Sequence, residues 1–260
     1  MPIVSNHKPG SFCWFELGTT DQEAAKKFYG SLFGWSANDF PMGPDGYYTM
    51  FKLEGQDAAA AYKVGGQMAP NVPPHWALYI AVQSADDAAS RVEAAGGKLL
   101  KPAFDVFDVG RMAVAADPTG AVFMLWQANK SKGTGITGVD GTVCWADLST
   151  PDPARAAEFY KALFGWETTK SAQDSSGYLH IKNGDEFIGG IPPAQYYDPK
   201  LPPHWLIYFQ VSNCDGSVAK ATGMNAQLLF PPSDIPNTGR MAIIKDPQGA
   251  VFALFQPPNQ

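Results

Sequence analysis

The feature that most limits how this chain can fold is an internal duplication. Residues 12–35, FCWFELGTTDQEAAKKFYGSLFGW, return at residues 143–166 as VCWADLSTPDPARAAEFYKALFGW. Each copy opens with a short apolar alternation, which predicts a half-buried strand. Asp21 and Asp152 then stand where a helix N-cap belongs, and Pro153 suits the first helical position. Ala24, Ala25, Phe28, Tyr29 and Leu32 recur at helical spacing and give the first helix one face to bury. Gly34 and Gly165 end the helices.

The repetition runs nearly end to end. PPHW stands at 73–76 and 202–205, GRMA at 110–113 and 239–242, and D-P-x-G-A-V-F at 117–123 and 246–252. In the first half the alternation also predicts strands at 47–53, 58–64 and 75–82, then near 98–100, 111–115 and 121–126, with loops at 40–46 and 65–74. A second helix runs from a Ser84 cap to Ala94 and stops at Gly96 and Gly97. Each half therefore reads as two βαβββ modules. In the second half the strands fall at 143–148, 178–182 and 186–191, with a helix at 153–163. Residues 129–140, NKSKGTGITGVD, have a linker's composition, which divides the chain into domains at 8–128 and 141–258. The D-P-x-G stretches read as plain hairpin turns.

Composition narrows the function. A net charge of −6 and a pI near 5.1 oppose nucleic acid as a partner. No apolar run approaches the length of a membrane span, and residues 1–11 lack a signal core, so the expectation is a cytoplasmic protein. Cys13 and Cys144 hold equivalent strand positions and read as small buried side chains; Cys214 completes a set without metal or redox spacing.

The four βαβββ modules, with F-Y-x-x-L-F-G-W after the first strand and D-P-x-G-A-V-F before the last, resemble the vicinal oxygen chelate superfamily of glyoxalases, bleomycin-resistance proteins and extradiol dioxygenases. The resemblance implies an α+β fold of two tandem half-barrel domains, each with a concave cup. In that superfamily His, Glu or Gln side chains on the cup strands hold a divalent metal. Here the inherited places fall on Phe12 and Val143, Ala77 and Leu206, Met124 and Ala253, and in the runs 58–61 and 188–190. These are not ligands for such an ion, so the expectation is no metal and no cofactor.

Taking the cup-facing parity from the family positions, the first cup is lined by Trp14, Glu16, His75, Tyr79, Met124 and Trp126. The second is lined by Trp145, Asp147, His204, Tyr208, Gln210 and Phe255. An aromatic hollow with one carboxylate and one imidazole has the constitution of a small-molecule pocket. A carboxylate among rings is costly unless paired. Glu16 and Asp147 are therefore expected either to pair with Arg111 and Arg240 of the GRMA repeat, to anchor a cationic ligand, or, for Glu16, to act as a general base. His75 and His204 are expected to be hydrogen-bonded structural residues. His7 and His180 carry no pattern.

The favoured reading is a protein that binds a small aromatic or cationic molecule, as a monomer or homodimer. The alternative is a metal-dependent lyase, isomerase or dioxygenase using His75 or His204 with a carboxylate. A third is a scaffold whose cups are packed shut by Trp14 and Trp145.

Overall fold

The computed structural model describes residues 3–43, 46–65, 72–170 and 176–258. The first half forms β1 (Phe12–Thr19), α1 (Gln22–Phe33), β2 (Ser36–Pro41), β3 (Tyr47–Leu53) and β4 (Gln56–Lys63). It continues with β5 (His75–Ala81), α2 (Ala85–Val92), β6 (Lys98–Val106), β7 (Gly110–Ala116) and β8 (Val122–Ala128). The second half repeats the order as β9 (Val143–Ser149), α3 (Pro153–Phe164), β10 (Glu167–Lys170), β11 (Leu179–Asn183) and β12 (Glu186–Ile191). After a one-turn 3₁₀ helix come β13 (His204–Gln210), α4 (Cys214–Gly223), β14 (Gln227–Ile235), β15 (Gly239–Lys245) and β16 (Val251–Gln256). Each half makes one eight-stranded mixed sheet, β2-β3-β4-β1-β5-β8-β7-β6 and β10-β11-β12-β9-β13-β16-β15-β14.

The local signals act as their chemistry requires. Asp21 and Asp152 accept from the backbone N–H groups of Ala24 and Arg155. Gly34 and Gly165 each take φ 74°, a left-handed conformation that glycine adopts without a side-chain clash. Two strands differ from expectation. β2 occupies part of the predicted 40–46 loop, and β10 was not anticipated. Both lie at sheet edges with every side chain exposed, so they carry no hydrophobic alternation to read. Residues 44–45 and 66–71 of the two predicted loops lie outside the described residues. The stretch 129–140 is laid against the first sheet, where Thr134 N–H donates to the Cys13 carbonyl at 2.8 Å and Ile136 bridges Ile3.

The two sheets share one core. Phe15, Leu17, Trp76 and Ile80 of the first half belong to the same buried cluster as Leu148, Trp205, Ile207 and Phe209 of the second. The helices fill the layer between. Phe33 of α1 meets Phe209 of β13 with centroids 4.8 Å apart, and Phe123 of β8 meets Phe159 of α3 at 5.9 Å. Such aromatic pairs add roughly 0.5–1.5 kcal/mol each beyond area burial.

Three of the repeated motifs converge in this layer. Trp76 of PPHW donates to the Tyr29 hydroxyl at 3.1 Å, and Tyr29 of the F-Y-x-x-L-F-G-W helix donates to Asp246 of the other half's turn at 2.8 Å. The mirrored relay runs from Trp205 to Tyr160 at 3.1 Å and on to Asp117 at 3.2 Å. Each aspartate uses its other oxygen to close its own turn. Asp246 Oδ1 accepts from the N–H groups of Gln248, Gly249 and Ala250, and Asp117 Oδ1 from those of Thr119, Gly120 and Ala121. The D-P-x-G stretches are therefore the fasteners between the halves as well as hairpin turns.

Replacing Tyr29 or Tyr160 by Phe removes one fastener and leaves a buried carboxylate oxygen without its donor. Each substitution is expected to lower the unfolding free energy by about 1–3 kcal/mol in urea titrations. An unchanged midpoint would show that the relay contributes nothing.

Candidate functional site

With the inner faces consumed by the shared core, the outer, concave faces carry their own small clusters. In the first cup Cys13, Trp14, Ala60, Ala77, Tyr79, Ala81 and Trp126 are buried together, with Tyr48, Met50, Met112 and Met124 packed around them. In the second, Leu206, Tyr208, Met241 and Ala253 do the same, with Cys144, Trp145 and Phe255 beside them.

Glu16 sits at the centre of the first cup. Ala60 of β4 and Ala77 of β5 flank it across the ladder. Tyr48 donates to Oε1 and Tyr79 to Oε2, both at 2.6 Å, while the Trp14 indole donates to the Tyr48 hydroxyl at 3.1 Å. Those lengths are typical of a hydroxyl donating to an ionised carboxylate. Burial nevertheless pushes the Glu16 carboxyl above its ordinary pKa, and the tyrosine hydrogen bonds oppose that shift without cancelling it.

Asp147 repeats the arrangement. It accepts from Tyr178, from Tyr208 at 2.8 Å and from the Trp145 indole at 3.0 Å. Burial raises its carboxyl too; hydrogen bonds from Tyr178, Tyr208 and Trp145 pull the other way, as does the charge of His180. Gly190 stands beside Asp147 in the ladder, and a side chain there would collide with the Tyr178 ring. The glycine is what lets Tyr178 lie across β12 to reach the acid.

The expected arginine pairs do not form. Arg111 binds Asp86 at 2.7 Å and Asp105 at 2.9 Å, and Arg240 binds Asp215 and Asp234 at the same distances. Strand parity is the reason: Met112, next to Arg111, faces Trp126 in the cup, so Arg111 points to the helix side, toward α2. Among the described residues neither Glu16 nor Asp147 forms an ion pair with lysine or arginine. The glycine of each GRMA repeat has a packing role, because a side chain on Gly110 would strike Trp126 and one on Gly239 would crowd Phe255.

His75 shares the cup face with Ala77 and Tyr79. Its Nδ1–H donates to the Pro73 carbonyl at 2.9 Å, its Nε2 lies 3.4 Å from the Tyr62 hydroxyl, and burial lowers its pKa. His204 makes the same bond to Pro202 at 2.9 Å. Met124 and Trp126 lie on β8 across from Tyr79 and Ala81, and Phe255 faces Gln210 at the far end of β13. Trp14 is 7% exposed, whereas Trp145 is only partly buried.

Phe12, the inherited first-strand metal position, is not in the cup. A register shift between Phe12 and Trp14 turns it to the inner face, against Trp166 and Trp205 with centroids 5.6 and 5.4 Å away. A one-residue bulge reverses the face of everything before it. Sequence reasoning also missed Tyr48, Tyr178 and His180, which stand on the β3 and β11 side of the cups. The Cys13 and Cys144 thiols donate to the carbonyls of Tyr79 and Tyr208, each at 3.5 Å, and burial pushes both up, Cys144 to about 12. Burial and a raised pKa suit a packing role.

Residues 11–125 and 142–254 each match the Glyoxalase/Bleomycin resistance protein/Dioxygenase superfamily. The chain is 42% identical to "Putative glyoxylase CFP32" of Mycobacterium tuberculosis over 265 residues, covering 100% of both. It is 34% identical to the anthracycline biosynthesis protein DnrV of Streptomyces peucetius, over 97% of this chain and 95% of that one. Among solved structures it resembles the Mn(II)-bound glyoxalase of Novosphingobium aromaticivorans (TM-score 0.67, 15% identity, 96% of this chain and 82% of that one). It also resembles the 2,3-dioxygenase LapB of Pseudomonas sp. KL28 (TM-score 0.66, 14% identity, 97% and 94%). At such identities the structural likeness concerns the fold.

The residues in the cups do not fit the divalent site of that fold. Ala77, Leu206 and Ala253 offer no ligand atom and Met124 only a thioether, while both oxygens of each carboxylate already accept hydrogen bonds. Among the described residues no group of three or more His, Cys, Asp or Glu is placed to hold a metal ion. No helix of the described residues is long and apolar enough to cross a membrane.

The raised Glu16 pKa has a signed consequence. The stabilisation from holding its proton in the folded state is present below the unfolded-state pKa and is lost as pH rises through the higher folded-state value. Glutamine does not titrate. The stability of Glu16→Gln relative to wild type is therefore expected to improve as pH rises across that window in urea unfolding from pH 4 to pH 8. A flat or opposite trend would contradict the shift.

Proposed function

This chain belongs to the glyoxalase/bleomycin resistance protein/dioxygenase superfamily, and we propose that it is a binding protein for small aromatic or cationic molecules. The half-barrel domains, 8–128 and 141–258 joined by 129–140, would each offer one cup. Trp14, Glu16, His75, Tyr79, Met124 and Trp126 would line the first, and Trp145, Asp147, His204, Tyr208, Gln210 and Phe255 the second. Binding in this reading needs no cofactor.

The observation that carries the reading is a half-buried carboxylate supplied with hydrogen-bond donors but, among the described residues, with no lysine or arginine partner. Glu16 is held by two tyrosine hydroxyls inside a ring of Trp14, Tyr79 and Trp126. An anion so placed gains from a cationic group brought by a ligand, and the ring faces add cation–π attraction of about 0.5–2 kcal/mol. Flat rings would stack on the same faces. The name of one relative, an anthracycline biosynthesis protein, fits a pocket for planar ring systems. The misfit of the inherited metal positions supports binding over the metal-dependent lyase, isomerase or dioxygenase alternative.

Titration with proflavine, a planar aromatic cation, tests this by quenching of tryptophan fluorescence. Saturable quenching is expected, with Glu16→Gln weakening the tighter phase about tenfold, as loss of a charge-assisted contact does. No saturable phase, or an affinity indifferent to Glu16, would sink the reading.

A further inference from the structure

The two cups repeat each other in their acid, two tyrosines and tryptophan, but differ in a residue that can carry charge in the acid's row. In the second sheet His180 of β11 pairs with Gly190 of β12, and Gly190 pairs with Asp147. In the first sheet Met50 of β3 pairs with Ala60 of β4, and Ala60 pairs with Glu16. Residues 50 and 180 thus stand in the same row as the carboxylate, two strands away, and paired residues in one row project to one face.

We infer that His180 is the built-in counter-ion of Asp147, so that the first cup selects cations while the second accepts neutral aromatic molecules. His180 is held in place by rings, with centroids 4.9 Å from Tyr178, 6.3 Å from Trp145 and 5.5 Å from Phe187. Two of those rings are the ones that donate to Asp147. Its charge favours the ionised acid. The bare Gly190 between the two leaves room for Tyr178, whose ring packs against His180 and whose hydroxyl donates to Asp147.

Among the described residues nothing equivalent serves Glu16. Met50 brings a thioether, and His75, the imidazole of that cup, has its Nδ1–H committed to Pro73 and is pushed toward the neutral form by burial. Tyr48, Tyr79 and Tyr62 near Glu16 are neutral donors. The first carboxylate must therefore take its counter-ion from a ligand, whereas a cation entering the second cup meets an acid already partnered by His180.

The inference rests on the binding reading above, and exchange of the two residues separates them. Cup 1 is isolated in an Asp147→Asn background and cup 2 in Glu16→Gln, with proflavine and 9-anthracenemethanol as the cationic and neutral probes. Proflavine is expected to bind cup 1 at least about fivefold more tightly than cup 2, an electrostatic difference near 1 kcal/mol. The alcohol is expected to show no such preference. His180→Met, or His180→Gln where methionine disturbs folding, is expected to raise proflavine affinity in cup 2, and Met50→His to lower it in cup 1. If both cups bind proflavine equally and neither exchange changes the ratio, the counter-ion role is overturned while the binding reading stands. If no cup binds either probe, both are overturned.

Discussion

The fold depends on two hydrogen-bond relays that cross from one sheet to the other. Trp76 holds Tyr29 against Asp246, and Trp205 holds Tyr160 against Asp117. Each aspartate is anchored through its second oxygen to three backbone N–H groups of its own turn, so the tyrosine of one half is clamped to a rigid corner of the other. Buried polar groups of this kind are stable only when every atom has a partner. The relays meet that condition and fix how the two sheets sit back to back. Because the inner faces then belong to a single shared core, the opposite faces carry clusters of their own.

The cups solve a different problem. In the first cup a carboxylate among aromatic rings is held by two phenol hydroxyls and, among the described residues, by no lysine or arginine, which satisfies its lone pairs and leaves its charge without an ion-pair partner. Hydrogen bonds can hold an anion in position, yet desolvation still raises its pKa, and both effects are present at Glu16 and Asp147. Such a group is balanced between taking a proton and meeting a cation. The proposed binding would draw on that balance.

Most of the fold was legible in the residues. Caps at Asp21 and Asp152, stops at Gly34 and Gly165, and the end-to-end repeat gave the four modules, because each signal acts locally. The polar edge strands β2 and β10 were not legible, since they bury nothing. In the site, alternation puts Trp14, Glu16, His75 and Tyr79 on one face, as does the strand register. It failed at Phe12, where a bulge turned the strand over, and at Arg111, which lies one residue out of phase with the cup. Tyr48, Tyr178 and His180 escaped because their strands enter the site only through long-range pairing, which no local pattern reports. The repeated motifs were the easiest to find and proved to be the seam between domains, while the unrepeated Met50 and His180 distinguish the two cups.

The claim at the centre of this account is that Glu16 receives a ligand's cationic group as the ionised carboxylate, giving up its proton wherever pH has left one on it. Calorimetric titration of proflavine in buffers of different ionisation enthalpy measures that proton directly. Below the raised pKa of Glu16, the wild-type protein is expected to release protons on binding and the Glu16→Gln variant to release fewer. Binding without proton release, or release that is the same in the variant, would contradict it.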